Sequence, residues 1–351
     1  MTLGLRQAVV DAIADAARAW AAECGELARG MLSSSLRVEF KEANRRNPVT
    51  AADHAVEERL RALVAERFPT HAVLGEEGTP GVSHSLPAIL WVVDPIDGTA
   101  NFASGLPFWA VSIGVLYRRV PVAAAIYTPA GPEGPAVYHA RRGGGAFCDD
   151  RPLAVRANER PEPATIIAVP GSWPWLFRLD PPLRQGPGEP RVLGSIATEM
   201  ALTAAGNFQW ALFGGPKIWD AAAGVLLIQE AGGVVLQRQG KRWVPLERFA
   251  LPPRPWFPRR QETPLERLAR WRAPLLCANP VLADFLARHL HPRFLLLLRA
   301  RLMLRRLQAL QRKVLRWPTP TTTSKTNCAM SKRTPSAPPA APKRSSAPST
   351  P

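Results

Sequence analysis

The chain has 351 residues, 46% hydrophobic and 21% charged, the make-up of a globular protein with length for one large or two ordinary domains. Cys24, Cys148, Cys277 and Cys328 stand singly with no Cys-x-x-Cys pair, which argues against a disulfide framework or zinc site and for a reducing cytoplasm. The net charge of +17 would suit a nucleic-acid binder, but +13 of it falls in residues 291–351, with nine Arg, four Lys and no acid; only +4 remains for residues 1–290, and no specific nucleic-acid binding is expected.

The first residues lack a charged-then-apolar leader pattern, and no apolar run reaches membrane-spanning length. Residues 5–30 are predicted to form an amphipathic helix, with Ala8, Val9, Ala12, Ile13, Ala16 and Trp20 at helical spacing. Residues 37–41 read as a strand, and a second amphipathic helix covers residues 55–64. Asp53, near its start, has the place of a cap or first-turn acid. An apolar run then leads to Gly75-Glu76-Glu77, which by composition is a solvated loop. His71 beside it reads as structural.

Ile89–Val93 is an apolar, β-branched run that reads as a buried strand. Pro95 lacks a ladder donor and disfavours helix at Asp94, so the strand is expected to stop there, with Asp94 and Asp97 at its carboxyl edge. Gly98 permits a tight turn and Thr99 opens the next segment. Two carboxylates, the Ile96 carbonyl and exposed amides suit a hard cation bridged to a phosphate. A surface turn could have this composition. The order of parts favours the site: apolar strand, two acids three apart, Gly-Thr, then another apolar run. Here the sequence resembles the inositol monophosphatase superfamily, whose signature Asp-Pro-x-Asp-Gly-Thr-x-Asn-Phe is matched at every fixed position of residues 94–102.

Residues 108–117 and 120–127 are predicted strands with a hairpin tip at Arg118-Arg119, and a second hairpin turns at residues 141–144. Together they describe an antiparallel meander, unlike the parallel alternation of a dinucleotide fold. Ile166–Val169 is another strand, and the Pro- and Trp-rich residues 170–190 read as a long irregular loop. Gly194-Ser195 opens a helix that stops at Gly206-Asn207. Trp219-Asp220-Ala221-Ala222-Ala223-Gly224 begins a further helix ending at Gly232-Gly233, where Asp220 by itself is a cap acid. Strands at 234–236 and 274–280 and a closing helix at 281–290 complete the body. Residues 294–317 carry an apolar helical stripe flanked by arginines, suited to an anionic membrane surface, an acidic partner or core packing, and the Thr-, Ser- and Pro-rich chain beyond Pro318 reads as disordered.

The resemblance covers roughly residues 5–290. It implies an α+β fold with layered αβαβα architecture: residues 1–150 form an α+β half with most metal ligands, and residues 151–290 an α/β half with Asp220 and the substrate side. A basic helix (291–318) and a tail (319–351) lie outside it. The implied activity is Mg²⁺-dependent hydrolysis of a small polyol or sugar phosphate. Glu76, Asp94, Asp97, Asp220 and the Ile96 carbonyl would hold Mg²⁺, with Glu76, Asp53 and Thr99 catalytic and the latter two orienting the attacking water. Glu76, Ile96, Asp97, Gly98, Thr99, Gly194 and Ser195 would face the substrate, and Glu77 would support Glu76. One departure matters. Inositol-specific members carry a Glu seven residues before this Asp to hold substrate hydroxyls, and here that position is Phe213. A nucleotide such as 3′-phosphoadenosine 5′-phosphate, or histidinol phosphate, is the alternative substrate. A non-catalytic, membrane-surface binding protein is the alternative of another class, and it would be expected to have a damaged metal set. Family members are commonly homodimers; the sequence leaves the oligomeric state open. A cytoplasmic protein is expected, peripheral to the membrane's inner face if the basic helix makes the anionic-surface contact its stripe suits.

Overall fold

Helix α1 (Gln7–Leu32) buries Val10, Ile13, Ala16, Ala17, Trp20 and Cys24 along one stripe, as its periodicity predicts. The computed structural model describes residues 4–32, 38–40, 48–78, 85–184, 186–253 and 262–293. The short strands β1 (Val38–Phe40) and β2 (Pro48–Thr50) pair antiparallel and lead into α2 (Ala51–Arg67), which starts earlier than expected and takes Asp53 into its first turn. Strands β3 (Ala72–Gly75), β4 (Ile89–Asp97), β5 (Ala110–Tyr117), β6 (Val120–Gly131), β7 (Gly134–Arg141), β8 (Ala146–Cys148) and β9 (Arg151–Pro152) form one seven-stranded sheet in chain order. All neighbours are antiparallel except β3 and β4, which run parallel. Arg118 and Arg119 make the β5–β6 tip with φ of 47° and 69°, the left-handed pair a two-residue hairpin requires.

One expectation is corrected in β4. The strand does not stop at Asp94: Asp94 pairs with Ser112, Asp97 pairs with Ala110, and the register shifts between them. Pro95 and Ile96 fall in that irregularity, where a missing N–H costs the ladder nothing. The short helix α3 (Thr99–Ala103) follows.

The second sheet has six strands: β10 (Ile166–Ala168), β12 (Glu189–Arg191), β13 (Trp210–Phe213), β14 (Val234–Gln239), β15 (Arg242–Pro245) and β16 (Leu275–Ala278), ordered β12-β10-β13-β16-β14-β15. Residues 170–190 are not the irregular loop expected. They hold α4 (Trp173–Leu176), β11 (Phe177–Leu179) and α5 (Pro181–Arg184), and β11 pairs with β17 (Leu290–Pro292). Prolines at the start of α5 fit a first helical turn, and buried Phe177 and Leu183 anchor the segment. Helices α6 (Ile196–Ala204), α7 (Ile218–Glu230), α8 (Pro264–Ala269) and α9 (Pro280–His289) complete the described elements.

Alternation along the strands sets the layers. Trp91, Val93, Val111 and Ile113 face α1 and α2, whereas Leu90, Val92, Leu116 and Ile126 face α6 and α7. In the second sheet Ala211, Phe213 and Leu275 join that same middle layer, and Trp210, Leu212 and Leu276 pack on α9. The result is helix, sheet, helix, sheet, helix, within one compact unit, Met1–Leu295. Gly114 sets how near α7 comes to the first sheet: a β-carbon there would fall 2.6 Å from that of Ala222. The basic helix and tail expected over residues 294–351 lie outside the described residues.

Candidate active site

Two backbone features converge the acids. In the parallel β3–β4 pair Gly75 lies opposite Val93, so the next residues, Glu76 just past the end of β3 and Asp94 still within β4, come side by side. Asp220 comes from the first turn of α7, packed on the other face of the same sheet. Ligand atoms of Glu76, Asp94 and Asp220 all lie within 4.8 Å of one another.

Lys217, just before α7, holds two of these acids. Its backbone N–H donates to Asp220 Oδ2 at 2.8 Å and its ammonium to Glu76 Oε1 at 2.6 Å. Asp94 is different: its Oδ1 is buried with no hydrogen-bond partner. Burial, then the charges of Glu76, Asp97 and Asp220, push its carboxyl well above the usual range. Burial chiefly, with the charge of Glu76 behind it, raises Asp220 to about 6 against the pull of the Lys217 amide. An unpartnered buried carboxylate oxygen among crowded acids is costly unless a cation neutralises it, and the all-oxygen donor set fits a divalent ion.

Asp97 lies beside this trio without belonging to it. Its Oδ2 accepts from the Ser195 hydroxyl at 2.7 Å and from the Ala197 amide at 2.6 Å. Burial and the charge of Asp220 raise its carboxyl, and these two donors oppose the shift. Ser195 is fully buried and caps α6 by accepting from Thr198 N, so its side chain serves Asp97 and the helix. Gly194 borders the cavity with φ of 83°. Gly98 has φ of 89°, and a β-carbon there would lie 3.0 Å from the Phe108 carbonyl and 3.2 Å from that of Gly194. Asn101 ties these segments together, donating to the carbonyls of Phe108 at 2.6 Å and Leu193 at 2.7 Å.

Asp53 is buried in the first turn of α2, with Oδ1 3.3 Å from Thr99 Oγ1; that hydroxyl also lies 3.0 Å from the Ile96 carbonyl. One turn along α2 is a residue the sequence reading passed over. Glu57, also buried, accepts twice from the Arg61 guanidinium, at 2.8 and 3.0 Å, and from the Glu77 backbone N–H at 2.8 Å. It grips the loop carrying Glu76, and the i, i+4 spacing of Asp53, Glu57 and Arg61 was its available signal. Lys217 was overlooked too. His71 has a structural place, accepting from the Trp91 indole at 3.0 Å and stacked on Phe68.

A cavity of about 240 Å³ is bordered by Glu76, Asp94, Ile96, Asp97, Thr99 and Asp220. A second, of about 360 Å³, opens beside it between Val169, Val192, Phe213 and Arg272, sharing Asp97, Gly194, Lys217 and Asp220. A larger one of about 650 Å³, against Val120, Arg142 and Glu230, touches none of these residues.

The sequence profile of the inositol monophosphatase family matches residues 10–273. The chain is 36% identical over 213 residues to the chloroplastic phosphatase IMPL1 of Arabidopsis thaliana, a match spanning 58% of this chain and 57% of that protein's length. It is 33% identical over 245 residues to an inositol-1-monophosphatase of Bacillus subtilis, 68% of this chain and 90% of the relative. Among solved structures, the extragenic suppressor protein SuhB of Bartonella henselae superposes with a TM-score of 0.60 at 26% identity, covering 80% of this chain and 97% of that one.

Proposed function

The chain belongs to the inositol monophosphatase family of phosphomonoester hydrolases, and from that premise we propose that it releases phosphate from a small polyol or sugar phosphate with Mg²⁺ held by Glu76, Asp94, Asp97, Asp220 and the Ile96 carbonyl. The observation carrying this reading is the partnerless Asp94 oxygen inside the Glu76–Asp94–Asp220 cluster. Bound there, Mg²⁺ would activate water and stabilise charge on the departing oxygen.

The remaining work falls to the chain. Thr99 Oγ1 has one proton and two acceptors in reach, Asp53 and Ile96. When it donates to Asp53, its lone pairs are free to accept from a water, which Asp53 thereby orients for in-line attack. The first turn of α3 leaves backbone N–H groups without helical partners, and we assign those of Gly98 and Thr99 to phosphate oxygens. Ser195 and Ala197 fix the Asp97 rotamer, and Glu57 fixes the loop of Glu76.

A second reading is favoured by Phe213, which is buried and lines the second cavity where inositol-specific relatives of the superfamily carry a hydroxyl-binding Glu. It supports an aromatic leaving group, as in 3′-phosphoadenosine 5′-phosphate or histidinol phosphate. A cytoplasmic location remains part of the proposal; among the described residues no helix is long and apolar enough to cross a membrane. The test is Asp97→Asn. Mg²⁺-dependent phosphate release should disappear while circular dichroism stays native, and unchanged turnover would overturn the assignment. A panel of inositol 1-phosphate, 3′-phosphoadenosine 5′-phosphate, histidinol phosphate and fructose 1,6-bisphosphate separates the substrate readings.

A further inference from the structure

Residues 192–194 join β12 to α6, and Gly194 among them borders both cavities. No ladder or helix fixes this turn: among the described residues neither Leu193 nor Gly194 makes a backbone–backbone hydrogen bond. Two side chains hold it instead. The Leu193 carbonyl accepts from Asn101 Nδ2 at 2.7 Å, and the Leu193 N–H donates to Glu199 Oε1 at 2.6 Å. Asn101 stands in α3, just beyond the Gly98 turn, and Glu199 lies in the first turn of α6.

The turn in its place supports the groups assigned to the chemistry. A β-carbon on Gly98 would lie 3.2 Å from the Gly194 carbonyl, so the turn backs the segment whose amides are assigned to phosphate oxygens. The next residue, Ser195, donates its hydroxyl to Asp97 Oδ2 at 2.7 Å. We propose that Glu199 is a positioning residue for hydrolysis: it holds residues 193–194 against Asn101, so that Ser195 orients Asp97 and the Gly98 turn keeps the spacing the phosphate requires. This rests on the phosphatase reading above and adds to it a residue that acts only through others.

The cost of the carboxylate supports that role. Glu199 is 6% exposed, and burial pushes its carboxyl up to about 7 with no neighbouring charge to offset the shift. A neutral glutamine of the same shape would avoid that penalty, so stability alone does not account for the acid. The successive amides of Leu193 and Gly194 both favour its charged form, and a carboxylate offers such a pair two accepting oxygens.

The test uses the full chain at pH 8 and saturating Mg²⁺, with the substrate of the panel above that the wild type hydrolyses fastest. Glu199→Leu, which offers no acceptor, should lower kcat about tenfold or more with little change in KM, since the walls of the second cavity are kept. Glu199→Gln retains a carbonyl oxygen for the Leu193 amide and should recover part of that loss. Its melting temperature should match or exceed that of the wild type, because a buried charge is gone. Glu230 supplies the control: it borders neither cavity, yet it accepts the amides of Gly143 and Gly145 at 3.0 and 3.1 Å in the same manner. Glu230→Gln should leave kcat and KM as they are. Wild-type kcat in Glu199→Leu overturns the inference, as does wild-type kcat in Glu199→Gln should the leucine variant fail to fold. A loss confined to KM overturns it too, and so does a Glu199→Gln whose lower kcat comes with a lower melting temperature, the mark of a merely structural contact. In each of these cases the wild type still releases phosphate and the phosphatase reading stands. Absence of phosphate release by the wild type from the whole panel overturns both.

Discussion

The two adjoining cavities share Asp97, Gly194, Lys217 and Asp220 but are assembled from different kinds of neighbour. Most of the catalytic one comes from two adjacent strands and the turns that leave them: Glu76 after β3, then Asp94, Ile96 and Asp97 in β4 and Thr99 just beyond. The second is closed by segments distant in the chain, Val169 and Val192, Phe213, and Arg272. Local geometry positions most of the proposed metal ligands; long-range packing positions the walls of the cavity beside them.

The sharpest way to break that contrast is Asp94→Asn. Losing a proposed metal donor should lower kcat/KM at least about a hundredfold for every substrate, since even outer partners of a ligand are worth 10- to 100-fold. The same substitution should raise the melting temperature of the metal-free protein at pH 8, because it removes a buried acid crowded by Glu76, Asp97 and Asp220. Activity and stability thus move in opposite directions. Loss of both would mean that Asp94 has a structural task that its unpartnered oxygen does not reveal.

Acidity sharpens the same point without mutation. Asp220 is raised from 3.8 to about 6 and Glu199 from 4.5 to about 7, both chiefly by burial. A raised carboxyl binds its proton more tightly in the folded chain, so its contribution is fully present below the unfolded value and is lost as pH climbs through the folded one. The metal-free protein should therefore melt several degrees lower at pH 8 than at pH 5. Added Mg²⁺ should raise the melting temperature more at pH 8, because it replaces the lost protons. A flat or reversed profile in a chelator would show that the acid cluster is not what titrates.

A smaller effect is expected at Glu57. In Glu57→Gln the side-chain carbonyl can still accept from the Glu77 amide, but the paired bonds from Arg61 are lost. The Mg²⁺ concentration for half-maximal activity should rise about tenfold, while kcat at saturating Mg²⁺ changes little. A drop in kcat with unaltered Mg²⁺ dependence would assign Glu57 to the water-orienting side with Asp53.

How much of this was legible in the chain follows the same division. Asp94 and Asp97 could be read from an apolar strand that runs into two acids three apart, whereas Glu76 was assigned only through the family resemblance, its own segment reading as a solvated loop. The buried stripe of α1 could be read from its helical periodicity, whereas the order of the layers came with the family resemblance. The continuation of β4 past Pro95 could not, since it depends on Ser112 and Ala110 across the ladder. Nor could the folding of residues 170–190, whose β11 finds its partner in β17, more than a hundred residues later. Glu57 looks like any charge on a helix until the Glu77 loop lies over it. The backbone bridge that sets Lys217 opposite Arg272 leaves no trace in either local sequence.

The smallest effect should come from removing the basic C-terminal segment, and the fold dictates where to cut. Truncation at residue 290 would take away most of β17, whose pairing with β11 holds Phe177 and Leu179 against the α9 face of the second sheet. Ending the chain after Arg293 keeps that pair and also the bond from the Arg293 amide to the Leu176 carbonyl. Every described residue of both cavities precedes that point. Hydrolysis of a soluble substrate by the 1–293 chain should therefore stay within about twofold of the full protein, the range of an ordinary surface change. Removal of residues 294–351 takes twelve of the seventeen excess positive charges, so any attraction to anionic vesicles that they provide should fall while turnover persists. Should activity vanish in a 1–293 chain that still melts cooperatively, the segment reaches the site, and the contrast between a locally built centre and a remotely built rim would have to include it.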